Sequence, residues 1–371
     1  MEGYEYDSHR VVIEGGFSEP TPGNLPTVTV DPSVPLSIDA KSLREEWSGP
    51  SMTIMRLTGP NVEGLMAALA RADGALQESH KVVRALHYYF DGSPDDYWRY
   101  LQREFKLLAD RVPRHVAAMH GSAHHLWQSW LLPFTAGPWT LGVETEALQA
   151  TIDFHIKAME IDKYGKTLKL FEKQGKLEEI DRLLFGATRT LVDAAPAWRS
   201  GAIRLALDPS MEPALDSLIL QQDEFPRLRD AYQQTFEAVC KALWLIVLAV
   251  NAAKRGDPED FSTIHYTDSG KIKKVSSLST FNRLSNANKL NVIREIDPFR
   301  VLLDPLNNRV RNAIGHASSR HDLISGQILN DRGGRERYFD FVAKVYRLML
   351  PLQMSVCLLR GSRVLSSTIE D

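Results

Sequence analysis

Arg311-Asn312-Ala313-Ile314-Gly315-His316 sets an arginine and a histidine apart by four residues. These residue types suit cleavage of a phosphodiester. RNA carries its own nucleophile, the 2′-hydroxyl, so breaking it needs proton transfer near neutral pH and stabilisation of charge on the phosphorane. Histidine titrates where the first is useful. Arginine is always charged and offers a planar fork for phosphate oxygens. Asn312 and His316, at i and i+4, share a helical face, so the amide can orient the imidazole or hold a phosphate oxygen. Gly315 leaves space beside the histidine for a backbone to approach. One histidine does not obviously act as both acid and base, a reason to expect a two-fold dimer. The competing reading is an arginine and a histidine that brace the C-terminal turn of a helix, where cations are favoured.

The surroundings of the motif give it weight. From 271 to 320 the chain holds ten Lys and Arg against three acids, a balance of +7 in a chain of formal charge −3. The whole chain is therefore no polyanion binder, but this stretch has the sign a phosphate backbone needs. Lys271, Lys273, Lys274, Arg309 and Arg320 are the candidate RNA contacts.

Other chemistries are excluded or weak. Gly165-Lys166-Thr167 imitates the end of a phosphate-binding loop, but the required upstream glycine is Glu160. There is no dinucleotide-binding glycine motif, no nucleophile elbow and no paired-histidine zinc motif. His120 and His124 would share a helical face, but with His115 and His125 they lack a placed third ligand, so neither a metal nor a cofactor is expected. Cys240 and Cys357 lie in apolar helical runs and read as buried, reduced thiols of a cytosolic protein. The start of the chain has no signal-peptide core. The most apolar run, Ala242 to Val250, is nine residues long, well short of the roughly 20 that span a bilayer, so no membrane is expected.

The elements that must position the motif follow from periodicity and punctuation. Residues 1–60 hold seven of the 19 prolines, which excludes long helices and leaves an extended or β arm, with strands at Thr27–Val30 and Met52–Leu57. From Asn61 the pattern is helical, with a helix start at Ser93-Pro94-Asp95-Asp96 and a further helix over Arg114 to Trp130. Two long helices follow, Glu144 to Lys173 and Lys176 to Ala195. Prolines and acids near 210–225 mark a domain boundary. Beyond it comes a helix over Pro226 to Lys254, closed by Gly256. A loop with Lys271, Lys273 and Lys274 precedes two helices over about 279–297 and 298–317. A hairpin through Gln327–Leu329 and Arg337–Phe339 turns at Gly333-Gly334. The last helix, about 338–360, kinks at Pro351.

Residues from about 226 to 360 resemble a HEPN domain. The resemblance rests on the long first helix, the R-N-A-I-G-H motif closing a later helix, the hairpin and the terminal apolar helix. It implies a metal-independent endoribonuclease acting as a dimer, with two motifs face to face and Arg311, Asn312 and His316 as its catalytic set. Arg309 also lies within the family's spacing of His316; Arg311 is preferred because Asn312 follows it. Some members of the family are inactive, so a non-catalytic RNA-binding or dimerisation module is the alternative. A nucleotidyltransferase antitoxin often accompanies the family; its signature is absent from this chain, so such a partner would be a separate protein. The expected architecture is mainly α. It comprises an arm (1–60), a helical domain of unassigned role (61–215) and a HEPN-like helical domain with a small hairpin (226–371).

Overall fold

The computed structural model describes residues 36–37, most of 80–100 with 103, 143–206, 218–220, 224–296, 299–315, 319–329 and 335–369. Among these residues the fold is mainly α. A short strand β1 (Leu36–Ser37) is followed later in the chain by helices α1 (Val143–Met159), α2 (Asp162–Lys173), α3 (Lys176–Asp193), α4 (Ala195–Trp198) and α5 (Gly201–Ala206). Strand β2 (Leu218–Ile219) pairs antiparallel with β1. The long helix α6 (Phe225–Arg255) leads to strands β3 (His265–Asp268) and β4 (Lys271–Lys274). Four short helices come next: α7 (Leu278–Arg283), α8 (Asn286–Arg294), α9 (Phe299–Leu303) and α10 (Asn308–Ile314). Strands β5 (Arg320–Asp322), β6 (Gln327–Leu329) and β7 (Arg335–Arg337) form an antiparallel meander, and α11 (Tyr338–Arg347) and α12 (Met349–Thr368) close the order. The expected strands at 27–30 and 52–57, the helix over 114–130, the histidines at 115–125 and Gly333-Gly334 lie outside the described residues.

Helix α6 is the axis. Pro226 occupies its first turn, where a missing N–H costs nothing. Gly256 ends it in the left-handed region at φ 72°, its N–H returning to the Ala252 carbonyl at 2.8 Å. Between them, every residue from Ala242 to Ala252 is buried. Helices α1, α3, α8 and α12 pack around this cylinder. Where the sequence places a boundary near 210–225, the described helices on either side share one hydrophobic core, from Leu168, Leu184 and Leu191 to Leu243, Val247 and Leu359. The spans Phe225–Arg255 and Tyr338–Arg363 are long and apolar enough to cross a membrane, yet 83% of each apolar window is buried inside the protein.

Several elements divide more finely than periodicity suggests. The helix expected over 144–173 breaks at Ile161, whose extended backbone (φ −94°, ψ 107°) starts α2. The terminal helix divides at Leu348, so that Pro351 falls in the first turn of α12 rather than at a kink. The segment at 298–317 splits into α9 and α10 around Pro305. The expected loop at 271–274 is a hairpin. Its turn, Ser269-Gly270, has positive φ at both residues (51° and 77°), the twist that matches flanking strands.

Under α12 lies a sealed ionic cluster. Asp181 of α3 accepts from Arg360 and, at 2.7 Å, from Arg363, which also reaches Glu172 at 2.8 Å. Arg360 and Asp181 are each about 1% exposed. Nearby, His155 of α1 is buried against Gly361, where any Cβ would collide with the imidazole. Burial pushes the His155 pKa down to about 4, against a smaller opposing effect of a backbone hydrogen bond at Gly361.

Candidate functional site

The motif helix α10 is seven residues long and is held at its start by three separate devices. Asn307 caps it, its side-chain oxygen accepting from the N–H groups of Arg309 (2.9 Å) and Val310 (3.3 Å). Tyr232 of α6 donates its hydroxyl to the Pro305 carbonyl at 2.8 Å and accepts from the Asn307 N–H at 3.0 Å. Arg294 of α8 donates to the Leu306 carbonyl at 2.7 Å. Val310 and Ile314 turn inward onto the core. That anchoring leaves Arg309 and Asn312 exposed and Arg311 half-buried.

The far end of α10 is tied as well. Ser319 donates its hydroxyl to the Ala313 carbonyl at 2.5 Å, so the chain returns to α10 and Arg320 opens β5 beside it. A Cβ at Gly315 would stand 3.1 Å from Gln233 Nε2 of α6. The space left by this glycine therefore lies against α6. His316 lies outside the described residues.

Arg311 is the best-defined member of the motif. Its Nε and Nη2 donate to Glu237 Oε1 of α6 at 3.0 and 2.7 Å, and its Nη1 donates to Asn312 Oδ1 at 3.2 Å. The second N–H on each terminal nitrogen is left over by these contacts. The other oxygen of Glu237 accepts from Asn286 of α8 at 2.8 Å. One carboxylate thus joins α6, α8 and α10. The Arg311 and Glu237 side chains are each 41% exposed, so the fork opens to solvent.

Of the residues singled out in sequence, Arg309, Arg311 and Asn312 come together on α10, and Arg320 follows the Ser319 tie. Lys271, Lys273 and Lys274 sit apart on β4, every residue of which is exposed. Their hairpin packs on α8, where Asn291 donates to the Thr267 carbonyl at 3.3 Å. Lys273 is held by Asp268 at 2.5 Å. Sequence reasoning missed Glu237. Its signal was the polar row Gln233, Gln234, Glu237 and Lys241, at helical spacing along a helix otherwise committed to the core.

No group of three or more His, Cys, Asp or Glu side chains among the described residues is arranged to hold a metal ion. The Cys240 thiol, one residue-row inside Glu237, is pushed up to about 12, chiefly by burial and then by the Glu237 charge. It is a packed thiol rather than a nucleophile.

Fold and site together define a mainly α protein that presents a fixed arginine–asparagine pair at the surface of one core. Comparison with protein-family models, with curated proteins and with solved structures gives no match for this chain.

Proposed function

We propose that the chain is a metal-independent endoribonuclease of HEPN type, cytoplasmic and dimeric, acting as a toxin or phage-defence effector. The observation that supports this reading is the fixed Arg311 fork. Glu237 and Asn312 orient the guanidinium of a side chain that is 41% exposed and leave N–H donors over, which is the preorganisation a developing phosphorane charge requires. In this reading the 2′-oxygen attacks the adjacent phosphorus and the bond to the 5′-oxygen breaks, leaving a 2′,3′-cyclic phosphate and a 5′-hydroxyl. His316 moves the proton, Asn312 steadies it, and a second copy of the chain supplies the complementary acid or base. Arg309, Arg320 and the lysines of β4 hold flanking phosphates. An antitoxin, if the protein has one, is a separate chain.

The experiment is incubation of the full chain with mixed RNA in EDTA, wild type beside His316→Ala and Arg311→Ala. The expected result is cleavage to 2′,3′-cyclic ends by the wild type, reduced by about 10²-fold or more in each variant. Retained cleavage by both variants sinks the proposed site.

A second reading, a non-catalytic RNA-holding or dimerisation module, is favoured by one observation. The 2.7 Å pairing with Glu237 compensates the very charge that Arg311 would offer to RNA. Absence of cleavage by the wild type, with RNA or a second copy still bound, decides for the module.

A further inference from the structure

One turn along α6 from Glu237, Lys241 borders a cavity of about 230 Å³. Its wall on α8 is Lys289, at i+3 from Asn286 and hence on the same helical face. Lys176 and Glu179 of α3, Asn282 of α7 and Trp244 of α6 also line it, with apolar Phe171, Ile180 and Leu278 between them. The ammonium of Lys176 lies 4.5 Å from the centre of the Phe171 ring.

Lys289 is the unusual member. It is only 6% exposed, and its ammonium makes no hydrogen bond or ion pair among the described residues. Glu237, the acid nearest in this row, is already engaged at both oxygens by Arg311 and Asn286. Burial, and then the positive charge of Lys241, depress the Lys289 pKa below the usual lysine range. A partly desolvated ammonium beside another ammonium is unfavourable unless an anion lies near them.

We propose that the cavity bounded by Lys241, Lys289, Lys176 and Asn282 is a binding site for a phosphate group. Lysines of α6 and α8 line the same cavity closely enough for Lys241 to act on Lys289, and Asn282 adds an amide donor. The volume falls below the roughly 300–1,000 Å³ of drug-sized pockets, so the site takes the charged head of a ligand and not its whole body. That head is a phosphate monoester or free orthophosphate, and the same chemistry occurs at the 5′ end of a processed RNA. The inference does not rest on the ribonuclease reading, because none of these side chains belongs to the Arg311 site.

The test is calorimetric titration of the full chain with orthophosphate, with a 5′-phosphorylated oligoribonucleotide and with its 5′-hydroxyl counterpart. Wild type is compared with Lys289→Met and Lys241→Met, and with Lys166→Met as a surface control, Lys166 being an exposed cation paired to Asp162 and no part of the cavity lining. The expected result is binding of both phosphorylated probes, weakened tenfold or more in Lys289→Met and Lys241→Met and unchanged in Lys166→Met. Tighter binding of the phosphorylated oligonucleotide than of orthophosphate identifies an RNA end as the source; the reverse order identifies the free anion. Lys289→Met removes a buried charge and keeps the side-chain length, so its thermal midpoint should not fall; Lys241→Met, at the exposed rim, gives an independent readout. Failure of wild type to bind either phosphorylated probe, or wild-type affinity in both folded variants, overturns the proposal.

Discussion

Arg360 and Arg363 on the one hand, and Arg311 on the other, all pair with carboxylates contributed by distant helices, yet the two clusters are built for opposite ends. The first is closed: Asp181 and Arg360 are almost wholly removed from water beneath α12. The second is open, with Arg311 and Glu237 each 41% exposed. In the closed cluster, desolvation makes each charge costly unless it is paired. In the open one, water screens the pair, and its contribution is directional rather than energetic. The lesson is that a salt bridge in this protein is informative about stability only where it is sealed, and about function only where it is not.

The sharpest way to break the contrast is Asp181→Ala, which takes a buried carboxylate from Arg360 and from Arg363, the latter keeping Glu172. It should cost about 3–5 kcal/mol in chemical denaturation. A loss under about 1 kcal/mol would show that the cluster is not sealed.

The next effect needs no mutation. His155 titrates near 4 in the folded protein and near 6.5 when unfolded, so between those values the unfolded chain takes up the proton first. Its contribution is intact above pH 6.5 and is lost as pH falls towards 4, by a total of about 3 kcal/mol. Denaturation of wild type and His155→Leu across that window should differ in slope, with the variant flatter. Parallel curves would remove His155 as the cause.

The smallest effect on folding belongs to Glu237→Gln, where an exposed pair is at stake: less than about 1 kcal/mol. Its effect on RNA separates the two functional readings. If Glu237 positions a catalytic arginine, cleavage falls at least tenfold while RNA binding holds. If Arg311 only holds RNA, freeing its charge tightens binding and cleavage is absent throughout.

The helical class and the limits of α6 were legible because each has a local cause: an apolar run, and Pro226 and Gly256. The Asn307 cap was not, because the helix expected over 298–317 runs through it. The β3–β4 hairpin was not, because the strand Lys-Ile-Lys-Lys has both faces exposed and so carries no alternation of apolar and polar residues. The break at Pro305 left its proline in plain view, but its cause is tertiary, the Tyr232 hydroxyl reaching across from α6. Arg311 could be named from its spacing to His316, the asparagine that follows it and the basic stretch around it. Glu237 could not, since 74 residues separate the pair and no local period encodes that contact. Lys289 reads in sequence as one more surface cation, and only the packing of α8 on α6 reveals its burial.

The brevity of α10 has a consequence for how the site comes into being. An isolated helix of this length is far below the ~12–15 residues at which helices become even marginal in water. Its order is lent by Tyr232, by Arg294 and by the core that takes Val310 and Ile314. The helix that α10 packs on is α6. The arginine fork therefore exists only while α10 is docked on α6 and α8: local opening that releases this short helix dissolves the fork along with it.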